Sequence, residues 1–310
     1  MKKNVLITGG LGAIGLNLVE RLQLDFNVIV IDNFSSGSIL PMNFSYDNLV
    51  VYKADIRDDE KLDEIFSLYS FDTVYHLAAN FANQSSVDFP KLDLDVNGRG
   101  FLNVILRCDK FGVRRFVYTS SSCVYGGQSG PLCESNKIIL DTPYAITKYL
   151  GEQYCSYFSS FSSMKIDAYR LFNSYGPGEL AGKYRNVIPN FVKSAIFNED
   201  IVITGDGSET RDFTYVSDVV NALILEKNDP FARFRILNVG TGLETSVLEL
   251  ANEILKVTGS SSKILFKERR SWDHVKSRKA NSDLLKSYGW LPSVSLAEGL
   301  KKYFEWNITI

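Results

Sequence analysis

The chain has 310 residues, 45% of them hydrophobic and 23% charged, and its formal net charge of -2 excludes a general electrostatic attraction to nucleic acid or anionic lipid. Two N-terminal lysines precede only a short apolar stretch that breaks into glycines, and no apolar run approaches the ~20 residues that span a bilayer, so a soluble cytoplasmic protein without a membrane partner is expected. Four cysteines without a C-x-x-C pair and two histidines, His76 and His274, argue for reduced thiols and no metal site.

The first half alternates short β-branched runs with helical patterns. NVLIT (4–8) reads as a strand and leads into T-G-G-L-G-A-I-G, where Gly9, Gly12 and Gly15 stand between it and a helical pattern over 12–24. Glycines there permit a tight turn and close backbone approach, and the helix N-terminus offers free N–H groups and a positive dipole end to a pyrophosphate. NVIVID (27–32) ends on Asp32, where a carboxylate can accept hydrogen bonds from the adenosine ribose hydroxyls and would repel a 2′-phosphate. No arginine follows in Asn33-Phe34-Ser35-Ser36-Gly37, so NAD is favoured over NADP, with Asn33 and Ser36 as further cofactor contacts. LVVYKAD (49–55) places Asp55 and Ile56 at the adenine edge, with a plain exposed loop carboxylate as the alternative for Asp55.

A helical pattern over 58–69 precedes the strand DTVYHLAA (72–79). A helical pattern over 96–111 and the strand RRFVYTSS (114–121) follow. Tyr144 and Lys148, in P-Y-A-I-T-K, stand four apart at the start of a helical pattern and so share one face. A charged lysine there favours the tyrosinate and is expected to lower the tyrosine pKa from about 10 toward the working range. KIDAYRLF (165–172) is a sixth strand. Beyond it come longer loops, helices near 187–197, 216–227 and 246–258, and strand-like VITGDG (202–207) and RILNVG (235–240). The pattern predicts an α/β fold: a doubly wound parallel sheet in residues 1–172 and a smaller C-terminal α/β substrate lobe in 173–310, part of which, near 235–240, returns to the main sheet.

Several motifs add to this set: H-L-A-A (76–79), Ser86 and Pro90 beyond it, N-G-R-G (97–100), S-S-S-C-V-Y-G (120–126), Y-A-I-T-K (144–148), R-L-F-N-S-Y-G-P (170–177) and T-R-D-F-T-Y-V (210–216). With them the chain resembles, over nearly its whole length, the extended short-chain dehydrogenase/reductase family, in its nucleotide-sugar epimerase and dehydratase branch. The resemblance implies a Rossmann-type cofactor domain and a nucleotide-diphosphate sugar as substrate. It makes Ser121 the hydroxyl partner of Tyr144, Tyr144 the acid and base, and Lys148 a holder of the nicotinamide ribose as well. It sets Leu77, Ala78 and Ala79, at the end of the strand 72–79, against the same cofactor. It places Ser86 on the substrate, Asn173 on the diphosphate, Arg211 and Arg270 as a clamp around that diphosphate, and Asn190, opening a helix, near the nucleotide base. It also implies a homodimer through the helices near 97–111 and 144–161, using Phe101, Val104, Ile105, Tyr149, Tyr154 and Phe158; the competing explanation is that both helices simply cover the sheet.

Members of the branch that eliminate water carry Asp-Glu after the serine position, whereas this chain has Ser122-Cys123. That argues against a dehydratase and weakens a uronic-acid decarboxylase, whose relatives carry a glutamate at the second position. What remains is C4 epimerisation of a UDP-hexose or UDP-N-acetylhexosamine through a transient 4-keto sugar, with a 4-keto-sugar reductase and a non-catalytic NAD sensor as alternatives. The branch also suggests a place in surface-glycan precursor synthesis. Cys123 is expected to be a small packing residue at the strand end. Trp272 stands where relatives often have glycine, and one extra residue between Asp273 and Ala280 leaves the gate on sugar size open between Ser277 and Arg278.

Overall fold

Runs such as Val5-Leu6-Ile7 and Val28-Ile29-Val30-Ile31 have no polar side because each strand is buried on both faces. Leu6, Ile29 and Ile31 point into one helix layer, and Val5, Ile7, Val28 and Val30 into the other. In the computed structural model, which describes residues 2–36, 47–81, 83–226, 232–269 and 275–309, these strands join a seven-stranded parallel sheet. Its order is Phe234–Val239, Lys165–Leu171, Arg115–Ser121, Phe71–His76, Asn4–Thr8, Asn27–Asp32 and Leu49–Lys53. The doubly wound sheet expected from the strand–helix alternation is therefore present. The order reverses between Asn4–Thr8 and Phe71–His76, and the crevice beyond their carboxyl ends is where such sheets take ligands.

On one face the helices Asp59–Leu68, Phe101–Lys110 and Pro143–Phe161 bury Phe66, Phe101, Val104, Ile105, Cys155 and Phe158 against the sheet. On the other, Ala13–Leu22 packs with Val216–Ile224, burying Leu18 and Val19 with Val219, Val220 and Leu223. A third core, including Ile188, Phe191, Ile201, Leu250, Leu300 and Tyr303, forms beyond the sheet around Val187–Ile196, Val247–Thr258 and Leu296–Asn307. The strand pair Ile201–Thr204 and Ile264–Lys267 belongs to it. The helices Asn83–Asp88, Asp283–Ser287 and Leu296–Asn307 are additions to the elements expected from the sequence. A π-helical turn, Asp95–Gly100, leads into Phe101–Lys110. Among the described residues no helix is long and apolar enough to cross a membrane.

A buried polar network ties the sheet to the helix that carries Tyr144 and Lys148. Glu152 accepts Arg170 Nε at 2.9 Å and Nη2 at 2.7 Å, and Ser120 Oγ at 2.5 Å. Arg170 Nη1 reaches Tyr125 Oη at 2.9 Å, which donates to Asn238 Oδ1 at 2.8 Å. Both charges are almost fully removed from water, so losing one leaves the other uncompensated. Glu152→Ala is expected to lower unfolding free energy by about 3–5 kcal/mol in urea denaturation, and a loss below about 1 kcal/mol would show that the pair does not hold the helix.

Candidate active site

Three glycines shape the turn after the first strand for different reasons. Gly9 has φ +69°, and a Cβ there would stand 2.6 Å from Ala78 N; at Gly15 it would meet Gly9 O at 2.3 Å. At Gly12, the N-cap of Ala13–Leu22, a Cβ would meet only Gly9 O at 3.4 Å, so the space over the helix N-terminus is open. That helix has no side-chain cap and no acid in its first turn, which leaves its N–H groups to an anion. Leu77 N donates to Thr8 O at 3.0 Å and Ala78 N to Thr8 Oγ1 at 3.4 Å, and these bonds set half-buried Ala78 and Ala79 beside the turn. A pyrophosphate fits this cradle, since its wall is backbone and its floor a helix N-terminus.

Asp32 is buried at the end of the second strand. Its Oδ2 accepts Leu11 N at 2.9 Å and its Oδ1 accepts Phe34 N at 2.8 Å, so one carboxylate pins both turns while each oxygen keeps capacity for a ribose hydroxyl. Asn33 Nδ2 donates to Asp55 Oδ2 at 2.8 Å. Arg57 grips Asp55 through Nε and Nη2, both at 2.9 Å, and holds its carboxyl well below the usual range. Ile56 is in the core, its side chain filling the space that a Cβ on Gly100 would need. Ser36 offers its carbonyl to Arg185 Nη2 at 2.9 Å.

Tyr144 and Lys148 lie on the first turns of Pro143–Phe161, a helix opened by Thr142 Oγ1, which accepts Ala145 N at 3.2 Å, and by proline at N1. Both side chains are buried. Lys148 Nζ donates to Thr119 O at 2.9 Å and stands 5.6 Å from the centroid of the Tyr144 ring. Burial pulls the lysine down to about 8. Burial, with Cys123 and Asp93 acting in the same sense, pushes the Tyr144 phenol well above its ordinary value. The expected lowering of the tyrosine is thus corrected: desolvation outweighs a lysine whose ammonium is directed at a carbonyl.

In the Thr-Ser-Ser-Ser run, Thr119 Oγ1 donates to His76 O at 3.1 Å and Ser120 Oγ to Glu152, so both turn back into the sheet and helix. Ser121, half-buried, accepts Cys123 N at 3.2 Å and caps the short turn Ser122–Tyr125. Ser86 is corrected. It is wholly buried, donates to Asn83 O at 2.7 Å and accepts Tyr144 N at 3.1 Å, so it fixes the tyrosine's backbone and offers no surface to a substrate. His76 is a core residue that burial drives down to about 3.

A second buried network, not expected from the sequence, lies behind the tyrosine. Thr147 Oγ1 donates to Asp93 Oδ2 at 2.6 Å, Asn97 Nδ2 to Asp93 Oδ1 at 2.9 Å, and Asn97 Oδ1 accepts Asn80 N at 2.7 Å. Burial raises the Asp93 carboxyl. Its sequence signals were N-G-R-G, which holds Asn97, and Y-A-I-T-K, which holds Thr147.

On the substrate side, Asn173 Nδ2 donates to Asp212 O at 3.3 Å and Asn173 O accepts Thr214 N at 3.1 Å, next to the strand Thr210–Arg211. Arg211 Nη1 donates to Thr210 O at 2.9 Å. Asn186 stands at the N-cap position of Val187–Ile196 without a side-chain cap bond, and the Asn190 amide stitches the preceding loop through Gly182 O at 3.1 Å and Asn186 O at 3.0 Å. Arg270, Trp272 and Asp273 lie outside the described residues. Ser277 turns to Glu244, whereas Arg278 reaches the loop after Ser121. Among the described residues no group of three His, Cys, Asp or Glu is placed to hold a metal.

The chain is similar to an epimerase of Methanothermobacter thermautotrophicus, with 43% identity, a TM-score of 0.95 and coverage of 99% of this chain and 93% of that one. It is similar to the UDP-glucose 4-epimerase of Thermotoga maritima in its structure with UDP-glucose, at 34% identity and a TM-score of 0.93 over 99% of each chain. It is also 32% identical, over 99% of its own length and 98% of the relative's, to the UDP-N-acetyl-alpha-D-glucosaminuronate decarboxylase of Bacillus cytotoxicus. The sequence profile of the NAD dependent epimerase/dehydratase family matches residues 5–240, and the chain belongs to that family.

Proposed function

We propose that the protein inverts C4 of a UDP-linked hexose or N-acetylhexosamine through a transient 4-keto sugar, using NAD that it retains. The observation that carries this reading is the pairing of two buried groups, Tyr144 and Lys148, beside a strand end where Ser121 is followed by Ser122-Cys123 and not by carboxyl groups. A relative with a decarboxylase name shows that overall identity does not choose the reaction, so these side chains must. Neither a hydroxyl nor a thiol readily replaces the acid and base of an elimination.

Bound NAD supplies the hydride acceptor and donor. Gly9, Gly12, Gly15, Leu77, Ala78 and Ala79 would surround its pyrophosphate and nicotinamide half, and Asp32, with Asn33 and Ser36, its adenosine ribose. Tyr144, as the tyrosinate, takes the proton of the C4 hydroxyl and later returns it, while Ser121 Oγ hydrogen-bonds the same sugar oxygen. Lys148, still largely protonated at neutral pH with its value near 8, favours the tyrosinate as it forms. Because burial keeps the phenol protonated in the free chain, proton loss is coupled to loading of the site. Asn173, Arg211 and Arg270 would hold the sugar nucleotide's diphosphate. On this reading residues 1–172 serve the cofactor and 173–310 the nucleotide end. A cytoplasmic location and a role in surface-glycan precursor synthesis belong to the same reading.

Denaturing freshly purified protein is expected to release NAD, and the intact enzyme with UDP-sugars, beginning with UDP-glucose and UDP-N-acetylglucosamine, is expected to give C4-inverted product by NMR without added cofactor. Tyr144→Phe should lower kcat by about 10²–10⁴-fold. No released dinucleotide, with turnover only on a 4-keto sugar plus reduced cofactor, would assign the protein to the reductases.

The homodimer belongs to this proposal, with a changed contact set. Phe101, Val104, Ile105 and Phe158 are in the core, as the competing explanation held for them, while Leu106 is 46%, Tyr157 58% and Phe161 78% exposed along the same two helices. Sedimentation at micromolar concentration is expected to give twice the chain mass, and Tyr157→Glu to shift it to the monomer. A monomeric wild type would remove the dimer.

A further inference from the structure

Arg278 stands just before the two-residue strand Lys279–Ala280 and is 6% exposed. Its Nη2 donates to Gly126 O at 2.7 Å, its Nη1 approaches Cys123 Sγ at 3.4 Å, and its Nε has no partner. No carboxylate among the described residues pairs with it. The contrast lies within the same molecule: Arg115 and Arg170 are equally buried, and each faces a carboxylate, Asp167 and Glu152. A guanidinium withdrawn from water needs an anion and filled hydrogen bonds to compensate its lost hydration. One carbonyl and a thiol, the weakest of acceptors, supply little of that.

The surroundings repeat the imbalance. Asn83 Nδ2 also donates to Cys123 Sγ, at 3.4 Å. Donors therefore converge on the turn Ser122–Tyr125, which begins directly after Ser121. A site rich in donors and poor in acceptors is built for an anion that arrives with the ligand.

Sugar chemistry says which anion. If Ser121 and Tyr144 meet C4, the atoms next to them are C3 and C5, and of their substituents the exocyclic carbon on C5 is the one that oxidation of a hexose turns into a carboxylate. The diphosphate sits on C1, across the ring, and Arg211 and Asn173 belong to other segments. We propose that Arg278 receives a carboxylate carried on C5, so that the preferred substrate is a UDP-linked hexuronate or N-acetylhexosaminuronate. Arginine's planar fork suits a carboxylate oxygen pair, and the contact with Cys123 Sγ is weak enough to be exchanged for it. This rests on the C4-epimerase reading, and it makes Arg278, not Ser277, the residue that reads the sugar.

The test measures kcat/KM of the full-length enzyme, without added cofactor, on UDP-glucuronate, UDP-N-acetylglucosaminuronate, UDP-glucose and UDP-N-acetylglucosamine. Wild type is expected to favour a uronate over its neutral counterpart by about 100-fold. Arg278→Met should collapse that ratio to near unity, and Arg278→Lys should restore part of it. A wild type that prefers the neutral sugars overturns the proposal and leaves the epimerase reading in place; this outcome needs no variant to fold. A uronate preference that Arg278→Met leaves unmoved also overturns it. Inversion of neither class would bring down the epimerase reading and the proposal together.

Discussion

The buried carboxylate of Glu152 is the joint on which the site depends. It gathers Ser120 from the fifth strand and Arg170 from the sixth, and it sits two turns along the helix that carries Tyr144 and Lys148. Through Arg170 and Tyr125 the same network reaches Asn238 on the edge strand of the sheet. A charge so buried tolerates little displacement before its hydrogen bonds fail. Ser121 follows Ser120 directly, so holding Ser120 also sets where the serine stands relative to the tyrosine's helix. A second buried carboxylate, Asp93, fixes the other side of that helix through Thr147 and Asn97.

The electrostatics of the site follow from the same dryness. Burial disfavours the charged form of both reactive groups, raising Tyr144 and lowering Lys148, so the free chain holds the tyrosine short of the ionisation that chemistry needs while the lysine stays largely charged at neutral pH. Around Cys123 it leaves Arg278 Nε without an acceptor among the described residues. Around the glycine turn it leaves helix N–H groups facing open space. Each is a local imbalance that a ligand of the right charge relieves, which is how a rigid α/β sheet makes a site specific without moving its strands.

Much of this was legible in the sequence. Strands buried on both faces must be written as continuous β-branched runs, and the glycine turn, Asp32, and the Tyr-Lys spacing are local patterns that survive without tertiary knowledge. The family resemblance drawn from the motifs agrees with the family the chain belongs to. What sequence could not supply was the direction of polar side chains between segments distant in the chain. Ser86 turned out to hold the Tyr144 amide from 58 residues away, and Asp55 to be taken by Arg57. Asn190 serves its own loop. Periodicity showed that helices 97–111 and 144–161 were apolar beyond one stripe, but not which stripe faced the sheet; Phe101 and Phe158 went inward while Tyr157 and Phe161 stayed out. Arg278 was legible only as one of two adjacent residues, because the lack of an acidic partner for it among the described residues is a fact of three-dimensional packing.

The most direct test of the central claim follows one atom. A UDP-sugar that the enzyme turns over, labelled with deuterium at C4, is incubated with the protein and no added cofactor, and the product is analysed by NMR. Transient oxidation with return of the same hydride predicts that the deuterium stays at C4 of the inverted sugar. Loss of the label to solvent, or no inverted product until a reduced cofactor is supplied, would contradict the account.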